Sequence, residues 1–370
     1  MIDFILAVLG FLAALTPIVF VHELGHFLVA RACGVRVDVF SIGFGRELVG
    51  WNDRYGTRWK ISALPLGGYV KFFGDASAAS TQSDELAGMP AAERSQTLHG
   101  KPVWQRSLVV VAGPVANFIF AILVFALLFM MFGQANTPPV IGKVRDGGAA
   151  QEAGLRAGDR ILTVDGAVIE RFQDLRVRVA LSADTPLALR ILRDGAEILV
   201  QVVPRRVEVS RNVREGQLGI ESGPFEYRQL GPAEALVEGG KTTVSVVTST
   251  LTYLKRWVTG VETGDQLSGP VGIADMAGKV IRVGPAEFVS FIALVSVAIG
   301  FINLFPIPLL DGGHLMFYAV EAIRGRPLGE RAQEIGFRIG LALVVLLFLF
   351  GTRNDLDRIG VFSFVAGLFS

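Results

Sequence analysis

Two short stretches of the chain carry the residue types that metal-dependent hydrolysis needs. The first is HELGH at residues 22 to 26, at the end of an apolar run. On a helix His22 and His26 stand one turn apart and share a face, and Glu23 lies beside the point where both imidazoles converge. That is a donor set for zinc with a general base next to it; the bland reading is a polar end-of-helix cluster facing water. The second stretch is LLDGGH at 309 to 314, which offers Asp311 and His314. Catalytic zinc takes three protein ligands and keeps a position for water. HELGH lacks the nearby histidine or glutamate of the soluble zincins, so the third ligand comes from elsewhere. Both Asp311 and His314 suit zinc, and the residues alone leave the choice open. Asp311 has the edge: a carboxylate behind the apolar PIPLL run needs a cation, whereas a neutral histidine needs only a hydrogen bond.

The elements that hold these residues are membrane elements. Of 370 residues 51% are hydrophobic and 19% charged, too apolar a balance for a soluble two-domain protein, so the composition implies a polytopic membrane protein with a soluble insert. Net charge is +1 with no long basic or acidic block, which argues against a nucleic-acid partner. The single cysteine, Cys33, excludes an internal disulfide, and with only four histidines in the chain (His22, His26, His99, His314) neither a four-histidine metal site nor a Cys/His zinc finger is available. Residues 1 to 21 lack the basic start and small-residue cleavage site of a secretory signal.

Hydropathy places four spans at 2 to 24, 107 to 132, 286 to 305 and 335 to 351. The stretch 233 to 258, rich in threonine and serine and with Lys255 and Arg256 near its end, reads as an amphipathic interfacial helix. With four spans, HELGH and NLFPIPLLDGGH (303 to 314) end their spans at similar depth. Residues 31 to 60 carry six basic residues (Arg31, Arg36, Arg46, Arg54, Arg58, Lys60), which puts that flank in the cytoplasm and the segment 134 to 285 outside.

Inside that outward segment, AGLRAGDRILTVDGAVI followed by two strands around Arg193-Asp194-Gly195 resembles a bacterial PDZ domain over about 138 to 205, a fold that takes a peptide or C-terminus as an added strand. On the cytoplasmic side, residues 43 to 73 read as a membrane-associated β-hairpin broken by Pro65, Gly67 and Gly68; residues 75 to 100 read as a mobile loop with His99 as a solvated histidine. The chain thus divides into a first transmembrane helix with HELGH (1 to 31), a hairpin and loop (32 to 103), a second helix (104 to 133), the PDZ domain (134 to 206), a connector with the amphipathic helix (207 to 285), a third helix with LDGGH (286 to 314), a cytoplasmic loop (315 to 334), and a fourth helix and tail (335 to 370).

HELGH on the first span, GPVANF at 113 to 118 on the second, NLFPIPLLDGGH at the third and a PDZ domain between the last two together resemble the site-2 protease family of intramembrane zinc metalloproteases, in its RseP-like bacterial branch. The resemblance implies one Zn2+ per chain on His22, His26 and Asp311, with Glu23 as catalytic base. It gives Asn303 the task of positioning substrate or stabilising the oxyanion, and leaves His314 structural. The LGGYVKF edge, with Gly67, Gly68, Tyr69 and Val70, then holds an unwound substrate segment. Gly113, Pro114 and Asn117 read as helix packing. The implied partners are the lipid bilayer and a transmembrane substrate such as an anti-sigma factor-like protein already cut once, or signal-peptide remnants; the implied place is the bacterial inner membrane, with the site near its cytoplasmic side. One PDZ copy is visible where relatives commonly carry two. The rival reading is a membrane-anchored PDZ scaffold with a structural metal. Glu23 speaks against it, because a structural site fills its fourth position and has no use for a base.

Overall fold

The computed structural model describes residues 2–75, 88–169, 171–210, 213–224, 226–261, 264 and 267–360. In chain order it contains α1 (Ile2–Ala32), β1 (Val37–Asn52), β2 (Arg58–Phe72), α2 (Ala91–Arg94), α3 (Val103–Met131), β3 (Gln134–Asn136), β4 (Ile141–Val144), α4 (Ala149–Glu152), β5 (Arg160–Val164), β6 (Ala167–Val168), α5 (Phe172–Leu181), β7 (Leu187–Arg193), β8 (Ala196–Val202), β9 (Arg205–Ser210), β10 (Val213–Gln217), β11 (Ile220–Ser222), β12 (Glu226–Arg228), α6 (Pro232–Val258), α7 (Pro270–Val283), α8 (Pro285–Asn303), α9 (Asp311–Arg324) and α10 (Glu330–Arg358).

Among the described residues four helices are long and apolar enough to cross a membrane: α1, α3, α8 and the Arg331–Arg358 stretch of α10. The last is longer than the expected 335 to 351, because its polar end TRNDLDR stays helical while Asp355 accepts the Gly272 amide at the start of α7 (2.7 Å) and Arg358 reaches Ser268 (2.9 Å). α6 is amphipathic and is not among the four. α6, α7 and α8 each begin with a proline directly after a glycine, where the missing N–H costs no hydrogen bond. Helix ends at Asn303 and resumes at Asp311; Pro306 and Pro308 lie between, and Leu309 is held at φ 105.

The expected hairpin is a larger sheet. It starts at Val37 rather than 43, and residues 39 to 42 of β1 have two partners each: Phe40 pairs with Val70 and with Trp59, Ile42 with Gly68 and with Ile61. Residues 47 to 52 pair in turn with 58 to 62, so two strands make four rows and the row 68 to 72 is left at an edge. Bulges along both strands allow this folding back. Phe40 anchors the sheet on α1, edge-on to Phe20 (5.8 Å) and Phe27 (5.6 Å) and stacked on Trp59 (4.2 Å). Leu48, Val49, Trp51, Ile61 and Leu64 stay exposed.

The loop expected at 75 to 100 is only in part described, residues 76–87 lying outside the described residues. The portion from 88 holds α2, and Thr97 and Leu98 are buried because the Arg36 amide bonds the Gln96 carbonyl (2.9 Å) and ties this segment to the start of the sheet. His99 is accordingly no solvated histidine: its Nε2 lies 3.8 Å from the buried carboxylate of Asp75.

The β-rich segment forms a second unit with its own core of Ile141, Ile161, Leu175, Leu189 and Ile191 around the sheet β6-β5-β7-β8. Asp165-Gly166 and Asp194-Gly195 have positive φ at both residues, as two-residue hairpin turns require. The unit runs past the expected limit at 205 to 206. Leu218 belongs to its core, and β11 pairs with β4, Ile220 opposite Val144.

Candidate metal centre

α1 brings the two histidines of HELGH together at its apolar face: the Nε2 atoms of His22 and His26 are 3.2 Å apart, with the rings edge to face. His26 donates its Nδ1–H to the Val109 carbonyl of α3 (2.8 Å), which leaves the Nε2 lone pair free. His22 has its Nδ1 beside the side-chain amide of Asn117, also on α3 (3.3 Å). The break between α8 and α9 delivers Asp311 at the first turn of α9, its Oδ2 3.2 Å from His22 Nε2 and its Oδ1 3.6 Å from His26 Nε2.

Two glycines make this convergence possible. A Cβ on Gly25 would lie 2.3 Å from the Ala112 carbonyl, so the glycine inside HELGH is where α1 and α3 cross in contact. A Cβ on Gly113 would lie 2.3 Å from His26 Nε2 and 2.9 Å from His22 Cε1; without it, both imidazoles rest on the α3 backbone.

Among the described residues, His22, His26 and Asp311 are the group of histidine and acidic side chains whose donor atoms all lie within 4.8 Å. Two nitrogen lone pairs and a carboxylate facing one another repel unless a cation lies between them. Two imidazoles and one carboxylate are a fitting donor set for zinc with a fourth position left for water. His314 is near but outside this group, its ring 5.7 Å from that of Phe337.

The three side chains line a cavity of about 490 Å³ together with Glu23, Asn303, His314, Gly68, Tyr69 and Val70. Gly68 brings the sheet edge to Glu23: a Cβ there would lie 2.9 Å from Val19 and 3.2 Å from Glu23 Cγ. Gly67, the remaining residue of the expected edge, is not in the lining, and the Phe44 ring covers it. Gly113 and Asn117, which read from sequence as helix packing, also touch the imidazoles. Small and amide residues in a span give the same pattern whether they meet a neighbouring helix or a site, so sequence held no signal to separate the two. Val109 was equally silent, since it acts through its backbone carbonyl.

The model of peptidase family M50 matches residues 10–347. A relative from Rhizobium meliloti is 48% identical over 94% of this chain and 95% of its own length, and one from Agrobacterium fabrum is 46% identical over 95% and 96%; both have the words zinc metalloprotease in their names. Metalloprotease MmpA of Caulobacter vibrioides is 42% identical over the full length of both chains. Among solved structures, the PDZ domain of an SdrC-like protein from Listeria monocytogenes matches 24% of this chain and 90% of its own at 14% identity and a TM-score of 0.21, too slight a likeness to carry an assignment. With a family match across most of the chain and near full-length relatives, this membrane protein belongs to peptidase family M50, the site-2 protease family, and is a zinc metalloprotease.

Proposed function

We propose that the protein hydrolyses peptide bonds within membrane-spanning segments, using one zinc ion held by His22, His26 and Asp311. The observation that carries this reading is the convergence of two imidazoles and a carboxylate in a cavity that also holds Glu23 and a strand row that has no second partner among the described residues. Zinc there supplies Lewis-acid polarisation of the scissile carbonyl and activation of water. Glu23 takes a proton from the attacking water as its oxygen bonds the carbonyl carbon, and passes that proton to the leaving nitrogen as the C–N bond breaks. Asn303, at the end of α8, donates its amide hydrogens to the carbonyl oxygen as negative charge develops. A substrate helix hides its carbonyls in its own hydrogen bonds and has to be unwound; the row at Gly68, Tyr69 and Val70 offers the freed backbone a strand to pair with.

In this reading the basic flank at 31 to 60 is cytoplasmic and the β-rich unit faces the outside of a bacterial inner membrane. That unit acts as a PDZ domain for a peptide or C-terminus, and the substrate class is a single-span protein such as an anti-sigma factor-like protein left by a first cut. The test is co-expression of tagged single-span substrates with wild type and with Glu23→Gln. Fragments ending within the span, present with wild type and missing with Glu23→Gln, are expected; the same fragments from both would overturn the assignment.

A further inference from the structure

We propose that Asn117 is a positioning residue that holds His22 in the Nδ1–H tautomer, so that Nε2 faces the metal position; this rests on the zinc reading above. Asn117 is fully buried on α3, and among the described residues the hydrogen-bonding contact of its side-chain amide is with Nδ1 of His22. As placed, the amide nitrogen lies 3.3 Å from Nδ1 while the amide oxygen is buried with no partner among the described residues. That arrangement wastes an acceptor. An imidazole whose Nε2 lone pair points at Asp311 and His26 carries its proton on Nδ1, and an NH2 group cannot accept that proton. Turning the amide by half a revolution exchanges oxygen and nitrogen in the same space. Oδ1 then accepts the His22 Nδ1–H, and the orphaned oxygen has its partner.

His26 shows the same arrangement with a different acceptor. Its Nδ1–H is bound by the Val109 carbonyl, two helical turns from Asn117 on the same helix. One helix therefore orients both imidazoles, the first by a side chain and the second by its backbone. Asn117 is itself braced: Ser296 of α8, also fully buried, donates its hydroxyl to the Asn117 carbonyl (3.0 Å), and Gly300 lets α8 approach, a Cβ there falling 3.1 Å from Asn117 Cβ. A side chain fixed at its backbone and committed at its amide leaves His22 one low-energy ring orientation.

Metal affinity is the readout, since partners behind a ligating histidine typically change it by about 10- to 100-fold. Chelator competition on the purified full chain compares wild type with Asn117→Leu, which keeps the bulk and removes the acceptor, and with Asn117→Asp, which keeps the acceptor. Asn117→Leu is expected to weaken zinc by about tenfold or more while Asn117→Asp stays near wild type. Wild-type affinity in Asn117→Leu, or equal weakening in both variants, would overturn the proposal. Should Asn117→Leu fail to fold, nitrogen-15 spectra of histidine-labelled, zinc-loaded wild type decide: Nε2 coordination by His22 supports the proposal, and Nδ1 coordination refutes it. A wild type that binds no zinc at all refutes the zinc reading instead.

Discussion

At the metal centre each imidazole is occupied on its far side, so a substitution acts according to whether it removes a donor, a base or the space between them. His22→Ala, His26→Ala and Asp311→Ala are expected to lose most bound zinc, Glu23→Gln to keep zinc while activity falls by at least about 100-fold, and His314→Ala to keep zinc. Metal analysis of the purified variants with a matched cleavage assay checks this; zinc loss in His314→Ala with retention in Asp311→Ala would reverse the third-ligand assignment. Gly113→Ala is the sharper case. Alanine favours a helix interior by about 1 kcal/mol over glycine, yet its methyl would press on His26 Nε2 from 2.3 Å. The expected outcome is a folded protein with zinc affinity reduced by about an order of magnitude or more, at least the size of changes that act on a ligating histidine from its far side.

Among the elements, the edge row of the first sheet and the ion pair of the β-rich unit respond to different insults. Gly68→Ala places a methyl against the Ser41 carbonyl, Val19 and Glu23, pushing the edge away from Glu23 while leaving His22, His26 and Asp311 untouched. It is expected to retain zinc and raise KM for a membrane substrate by about tenfold or more, the signature of lost binding. In the β-rich unit Asp159 is buried and clasped by Arg193 at 2.6 and 2.7 Å. Burial alone would raise its pKa, but hydrogen bonds from the Arg193 guanidinium and the Arg156 amide outweigh it and hold the carboxyl below its ordinary value. A lowered folded pKa contributes stability above the unfolded value of about 4, and that stability is lost as pH falls through the folded pKa. Arg193→Ala is expected to destabilise the fold at neutral pH by leaving the buried Asp159 carboxylate without its partner, with the difference from wild type shrinking below about pH 4. Denaturant unfolding across pH checks both; a difference independent of pH would refute the linkage.

For the molecule as a whole, the orientation proposed above predicts which residues an impermeant reagent reaches. In a chain with Cys33 replaced, a cysteine at Gln151 is expected to react with an impermeant thiol reagent in intact cells with permeable outer membranes, and one at Arg94 is not; equal labelling would refute the orientation. A test of what the β-rich unit does for substrate choice has to remove its whole core. The pairing of β11 with β4 runs to Ser222, and the Val140 carbonyl and Gly223 amide are 2.9 Å apart, so 141 to 222 can be replaced by a short glycine-serine linker that leaves β12 paired with β3. A deletion ending at 205 would strand Leu218 and β11 without their core.

That His22 and His26 share one face was legible from sequence because the geometry is local: a four-residue offset on a helix brings them together whatever surrounds them. The spans were legible for the same kind of reason, since hydrocarbon thickness dictates length and composition, and prolines at 306 and 308 announced the break before Asp311. What sequence left open was everything set by approach between distant segments. Whether Asp311 or His314 reaches the histidines depends on how α9 restarts after the break, and both residue types suit zinc equally well. The four rows of the first sheet depend on bulges, the reach of the β-rich unit on a strand paired with another more than seventy residues earlier in the chain, and the roles of Gly113, Asn117 and the Val109 carbonyl on which side of α3 faces α1. An absent side chain, an amide and a backbone oxygen acquire chemistry only from the atoms packed against them, and those contacts exist only in the folded chain.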